Sequence, residues 1–239
     1  MINVQTIPIL DDNYAYLITS SDGKTAILDP GIAPPIIDIL DQQNIKPDYI
    51  LLTHHHWDHV NGAPKIKEKY NAQIVAPKYE KHIIKGVDIT VKEGNIFALG
   101  EDKAHIIHTP GHTAGGICFY FKESHIIFTG DTLFSLGCGR LFEGTAADMF
   151  GSFEKLKALP DETLIYCGHE YTRGNAGFCL AMDPNNTDLK TRIDEIKSLR
   201  ERSLPTIPVS IGTERKTNIF MHAETPEDFK SLREKKDQF

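Results

Sequence analysis

Short runs of β-branched and aromatic residues, closed by Gly, Pro, Asp or Ser, punctuate the chain up to about residue 171. Runs of this kind read as strands: INVQTIPI (2–9), YAYLIT (14–19), TAILD (25–29), YILLT (49–53), QIVAP (73–77), AHIIHT (104–109), GICFYF (116–121), HIIFTG (125–130) and TLIYCG (163–168). Ser21-Asp22-Gly23 reads as the hairpin turn between the second and third. PPIIDILDQQN (34–44) predicts a helix opened by prolines, which a first turn tolerates. Further helices are expected near 60–70 and 147–158. Beyond residue 172 the β-branched runs fade. DLKTRIDEIKSLRERS (188–203) sets Leu189, Ile193, Ile196 and Leu199 on one helical stripe, and 226–239 predicts a last helix with Pro226 in its first turn. The pattern predicts an α/β (α+β) protein, its sheets covered by helices, with a small helical domain at the C-terminal end. The expected division is 1–171 and 172–239. No internal repeat stands out.

Composition narrows this little. At 239 residues the chain can bury one substantial core and an appended domain. Its 40% hydrophobic and 25% charged content is that of a soluble globular protein. A formal charge of -7 argues against a nucleic-acid partner. Cys118, Cys138, Cys167 and Cys179 form no C-x-x-C pair and read as free thiols in a reducing compartment. The start MINVQTIPIL lacks a basic segment followed by a long apolar core, and no apolar run is long enough to span a bilayer. The expectation is a cytoplasmic protein with no membrane partner.

The chemistry gathers where strands end. YILLT runs into His54-His55-His56-Trp57-Asp58-His59, a loop that offers imidazoles and a carboxylate to adjacent cations. Alternate positions such as His54 and His56 share a direction in extended chain, so His55 is expected to point away. Three more strands end in the same way. HIIHTP leads to Gly111-His112, HIIFTG to Asp131 and TLIYCG to His169. Each sits beside a glycine that permits an irregular turn, at the strand end where α/β sheets gather their sites. A single one of these would be an ordinary polar residue; their recurrence is the signal. His82, His105, His108, His125 and His222 lack that setting and read as structural.

The pattern H-x-H-x-D-H at 54–59, followed by His112, Asp131 and His169, resembles the binuclear hydrolases of the metallo-β-lactamase superfamily. The resemblance implies an αββα sandwich over roughly residues 1–170. It also implies one metal on His54, His56 and His112 and another on Asp58, His59 and His169, with Asp131 bridging; Asp58 and Asp131 carry the catalytic weight. Two divalent ions, with zinc expected and iron or manganese as alternatives, can lower the pKa of a shared water and yield hydroxide as the nucleophile. They also stabilise the developing oxyanion. No G-x-S-x-G nucleophile elbow is present.

The substrate comes from other segments. GCGRLFEGT (137–145), GHEYT (168–172) and REKKDQF (233–239) are similar to the glyoxalase II family, so the resemblance runs nearly the full length. It implies hydrolysis of S-D-lactoylglutathione to D-lactate and glutathione, the second step of methylglyoxal detoxification. Arg140, Phe142, Tyr171, Arg233 and Lys236 would then meet the glutathione. Its carboxylates suit Arg and Lys, and Arg233 and Lys236, three apart, share a helix face. Some family members carry Lys at 140 and Tyr at 142. Phe142 lacks the phenolic donor, so weaker or differently shaped thioester binding is expected. The rivals are a mononuclear-iron glutathione-persulfide dioxygenase of the same superfamily and a non-catalytic metal-binding protein. A monomer is the expected state.

Overall fold

The computed structural model describes residues 1–239, which form two compact units: Met1–His108 with Gly115–Ser124, and Thr109–Ala114 with His125–Phe239.

In the first unit the strands are β1 (Asn3–Ile9), β2 (Asn13–Thr19), β3 (Thr25–Leu28), β4 (Tyr49–Leu51), β5 (Gln73–Pro77) and β6 (Ile89–Val91), paired in that order. The first two pairings are antiparallel and the rest parallel. The parallel strands are near-continuous apolar runs, as burial on both faces requires. Leu28, Leu51 and Val75 pair in register, so β3 and β4 end level and the loops leaving them emerge at one edge, while β5 runs two residues further to Pro77. Helices α1 (Pro34–Gln42), α2 (Trp57–Val60) and α3 (Ala63–Tyr70) lie between them. Ile36 and Leu40 of α1 and Ile66 of α3 pack with Ile27, Ile50 and Ile74 in one core. The helix expected over 60–70 is two. Asn61-Gly62 interrupts it, Gly62 resting where a Cβ would strike Pro30 and Ile32, and Pro64 opens the second piece. Strands β7 (Ile96–Leu99), β8 (Asp102–His108) and β9 (Ile117–Phe121) form an antiparallel meander.

The second unit holds β10 (Ile126–Gly130), the short hairpin β11 (Leu133–Phe134) and β12 (Gly137–Cys138), α4 (Ala146–Lys157) and β13 (Leu164–Cys167). Then come α5 (Thr172–Met182), α6 (Thr187–Glu201), β14 (Val209–Ser210), α7 (Ile211–Thr217) and α8 (Pro226–Gln238). β13 runs parallel to β10 and antiparallel to β14. α4 and α8 each begin on a reciprocal capping box, Thr145 with Asp148 and Thr225 with Asp228. Phe153 of α4 meets Phe229 of α8 edge-on, centroids 5.0 Å apart. The helices after residue 171 therefore share a compact unit with β10, α4 and β13. All four cysteines are free and buried; burial pushes the Cys138 thiol up to about 11 and those of Cys167 and Cys179 to about 12. No helix is long and apolar enough to cross a membrane.

Candidate metal centre

In the first unit two of the donors, His54 and His59, are oriented by Asp29, a carboxylate outside the expected donor set. Asp29 follows β3, and its amide donates to the Leu51 carbonyl of the level neighbour β4. Its backbone takes the left-handed conformation, φ 49°, uncommon outside glycine. The buried carboxylate accepts from the Thr53 amide at 2.8 Å, the Thr53 hydroxyl at 2.6 Å and His59 Nδ1 at 3.0 Å. A carboxylate only accepts, so the His59 proton lies on Nδ1 and its Nε2 lone pair is left for another partner. The Thr53 hydroxyl, having given its proton to Asp29, accepts from His54 Nδ1 at 3.0 Å, which leaves Nε2 of His54 as an acceptor too.

His54 Nε2 lies 3.2 Å from His56 Nδ1. Two donors on one tetrahedral zinc, each 2.0–2.1 Å from it, stand about 3.3 Å apart, so this spacing is that of a ligand pair. Asp58 opens α2. The buried Asn13 steers it, donating to its carboxylate at 3.0 Å and its carbonyl at 3.3 Å, and its Oδ2 lies 3.7 Å from His59 Nε2. Gly31 admits no side chain here, because a Cβ would strike the Asp58 carbonyl oxygen. His55 faces elsewhere, its Nδ1 3.2 Å from the buried Glu80 carboxylate, whose other oxygen accepts from the Gly115 amide.

In the second unit Asp131 directly follows β10 and His169 lies two residues past β13, its parallel neighbour. Asp131 Oδ2 is 3.2 Å from His169 Nε2 and 3.4 Å from His112 Nε2. His112 donates from Nδ1 to the Arg140 carbonyl at 2.8 Å, again aiming Nε2 at the carboxylate. Gly139 is needed beside it, since a Cβ would strike the Asp131 carbonyl oxygen. His54 and His59 in the first unit and His112 in the second are thus each held by an acceptor on one nitrogen with the other turned toward further donors, the preparation that metal-binding histidines receive. Borderline divalent cations suit such nitrogen and oxygen donors.

The residues expected to read the substrate all fall in the second unit. Tyr171 is 40% exposed and stacks flat on His169, centroids 4.6 Å apart, with Phe134 edge-on to both. Phe142 is 63% exposed and sets its ring against His112 at 5.3 Å. Arg140 is largely exposed, 4.0 Å from the Asp237 carboxylate. Lys236 donates to the Gly174 carbonyl and lies over the Phe178 and Phe239 rings; burial, then the charge of Arg233, lowers its pKa. Arg233, expected among the glutathione contacts, already has partners within the chain. It is 5% exposed and spends its guanidinium on the Cys138 carbonyl at 3.0 Å and on Asp237 at 2.8 Å. It positions the 138–140 segment and Asp237.

Comparison with known proteins agrees in both parts of the chain. The model of the metallo-β-lactamase superfamily matches residues 9–169, and that of the hydroxyacylglutathione hydrolase C-terminus matches 170–239. A hydroxyacylglutathione hydrolase of Pelagibacter ubique is 48% identical over 237 residues, 99% of either chain. Among solved structures, ETHE1 from Myxococcus xanthus superposes with a TM-score of 0.75 at 22% identity, covering 97% of this chain and 90% of that one. TTHA1623, solved in a di-iron-bound form, gives 0.59 at 28% identity over 70% of this chain and 91% of that one. The fold is the αββα metallo-β-lactamase fold with a C-terminal helical domain. From its strand-end donors to its last helix, this chain belongs to the metallo-β-lactamase superfamily and, within it, to the hydroxyacylglutathione hydrolases.

Proposed function

We propose that the chain hydrolyses the thioester S-D-lactoylglutathione, adding water across the acyl carbon–sulfur bond to release D-lactate and glutathione. The observation that carries this reading is the match to hydroxyacylglutathione hydrolases across both parts of the chain, on intact donors at all seven strand-end positions. In this reading His54, His56 and His112 hold one divalent cation, Asp58, His59 and His169 hold a second, and Asp131 belongs to both. Zinc suits the donor set, with iron and manganese as the competing occupants. Such a pair supplies an acidified water and polarises the thioester carbonyl. The chain's own part is to fix the donors. Asp29 and Thr53 set the tautomers of His59 and His54, the Arg140 carbonyl sets that of His112, and Asn13 aims Asp58.

We assign residues 1–171 to the catalytic domain and 172–239 to a helical domain that supplies Arg233 and Lys236 to the glutathione site. Arg140 and Lys236 take the glutathione carboxylates, Tyr171 and Phe142, set against His169 and His112, contact the glutathione chain, and Arg233 steadies the segment carrying Arg140. The departing thiolate is stable near neutral pH, so no proton-donating side chain is required there. The test is turnover of S-D-lactoylglutathione with metal content measured on the same sample. Rapid hydrolysis with about two ions per chain is the expected result. A single iron with no thioester turnover, and oxygen uptake on glutathione persulfide instead, would replace this reading with the dioxygenase.

A further inference from the structure

Away from the strand-end donors, α5 and α6 enclose a cavity of about 410 Å³ that no proposed step uses. Its floor comes from two helical stripes: Ala176, Gly177 and Leu180 of α5, and Ile193 and Ile196 of α6. Leu180 and Ile193 are only half-buried, capping a small core of Leu136, Cys179 and Leu189. The space exists because α5 presents small residues where a bundle would put large ones. Gly177 is not demanded by packing: a Cβ there would meet only the Phe239 ring, at 3.7 Å. A glycine inside a helix costs about 1 kcal/mol against alanine, so an opening is maintained against helix propensity.

The rim is charged, and mostly of one sign. Arg173, Lys197 and Arg200 stand around the mouth with Glu201. Arg173 is exposed and has no hydrogen bond or ion pair within the chain. Arg200 is shared between the Leu204 carbonyl and, at 3.6 Å, Glu170, and Lys197 reaches Asp194 only at 3.5 Å. An apolar floor under a cationic rim, on a chain whose net charge is -7, selects for an anion with an apolar body.

We infer that the α5–α6 cavity binds a medium-chain carboxylate, its hydrocarbon on Leu180, Ile193 and Ile196 and its head group at Arg173 and Lys197. It is a second ligand site of the C-terminal helices, separate from the residues assigned to glutathione.

Decanoate titrated into the full chain, followed by calorimetry and amide NMR shifts, tests this. One saturable site per chain is expected, with Kd on the order of 0.1–1 mM for a ligand of this size, and shifts centred on α5 and α6. Ala176→Met fills the floor and should weaken binding at least tenfold. Arg173→Glu with Lys197→Glu alters only exposed side chains, leaves the fold intact, and should weaken it similarly. Loss in the charge variant with unchanged circular dichroism supports the site even if the Met variant unfolds. Absence of saturation, shifts centred on Tyr171 and Phe142, or equal binding by the charge variant would each overturn it.

Discussion

Single side chains in this protein act chiefly by settling where protons sit. Asp29 lies outside the set of seven strand-end donors, yet through Thr53 and His59 Nδ1 it decides which nitrogen of His54 and of His59 carries the proton. Asp29→Asn replaces an acceptor by an amide that can present a donor to His59. It should lower metal affinity and turnover roughly 10–100-fold while leaving circular dichroism unchanged, as measured by competitive chelation. Full metal retention would show that Asp29 serves only the turn. Phe142, against His112 and open to solvent, occupies a position where a phenol would add one hydrogen bond, worth about 1 kcal/mol. Phe142→Tyr should therefore lower KM for the thioester about three- to tenfold with little change in kcat. An unchanged KM would remove Phe142 from the substrate's surroundings.

Among the elements, α7 has a role out of proportion to its length. Its fully buried Glu214 accepts from the Leu136 amide at 2.8 Å, the Ser135 hydroxyl at 3.2 Å and Asn218 at 2.9 Å, and Asn218 also donates to the Gly137 carbonyl at 3.2 Å. These bonds clamp the β11–β12 hairpin, whose turn holds Leu136 at a left-handed φ of 60°. The hairpin starts just after Asp131 and ends just before Gly139. Burial, partly offset by these donors, raises the Glu214 pKa to about 7 from an ordinary 4.5. The folded state then holds this proton between pH 4.5 and 7 while the unfolded chain releases it, so stability falls as pH rises through that window. The loss is on the order of 3 kcal/mol. Glu214→Gln should flatten that slope in urea unfolding at pH 5 and pH 7.5; an identical slope would show that Glu214 stays ionised.

The same elements show what a sequence can and cannot disclose. Every β-branched run expected as a strand is one, because such side chains fit a pleated surface once their neighbours bury it. The two-residue strands β11, β12 and β14 carry no periodic signal, and α5 (TRGNAGFCLAM) hides behind two glycines. Donors past strand ends were legible because types and spacing recur. Their supports were less so: a carbonyl at Arg140 has no sequence signature, and Asn13 and Thr53 read as ordinary polar residues. Asp29, ending TAILD, obeys the strand-end rule that located Asp131 and could have been found by it.

At the scale of the whole molecule, the donors lie in chain segments far apart in sequence, and divalent ions should tie those segments together in the folded state only. Ions held at 100 to 1,000 times Kd contribute about 3–4 kcal/mol per site by mass action. Prolonged chelation of both sites should thus lower Tm by roughly 10–30 °C for a chain of this length, and zinc should restore it. A Tm indifferent to chelation would place the ions outside the folding equilibrium.

The sealed thiols have a consequence of another kind. A hydrolase that releases glutathione works amid that tripeptide and its disulfide. Exchange needs thiolate, and a thiol near pKa 12 offers only about one part in 10⁵ at pH 7. All four sulfurs are also out of a tripeptide's reach. The covalent state of the protein is therefore uncoupled from the redox poise of its surroundings. Incubation of the folded chain with glutathione disulfide should leave its mass free of mixed disulfides.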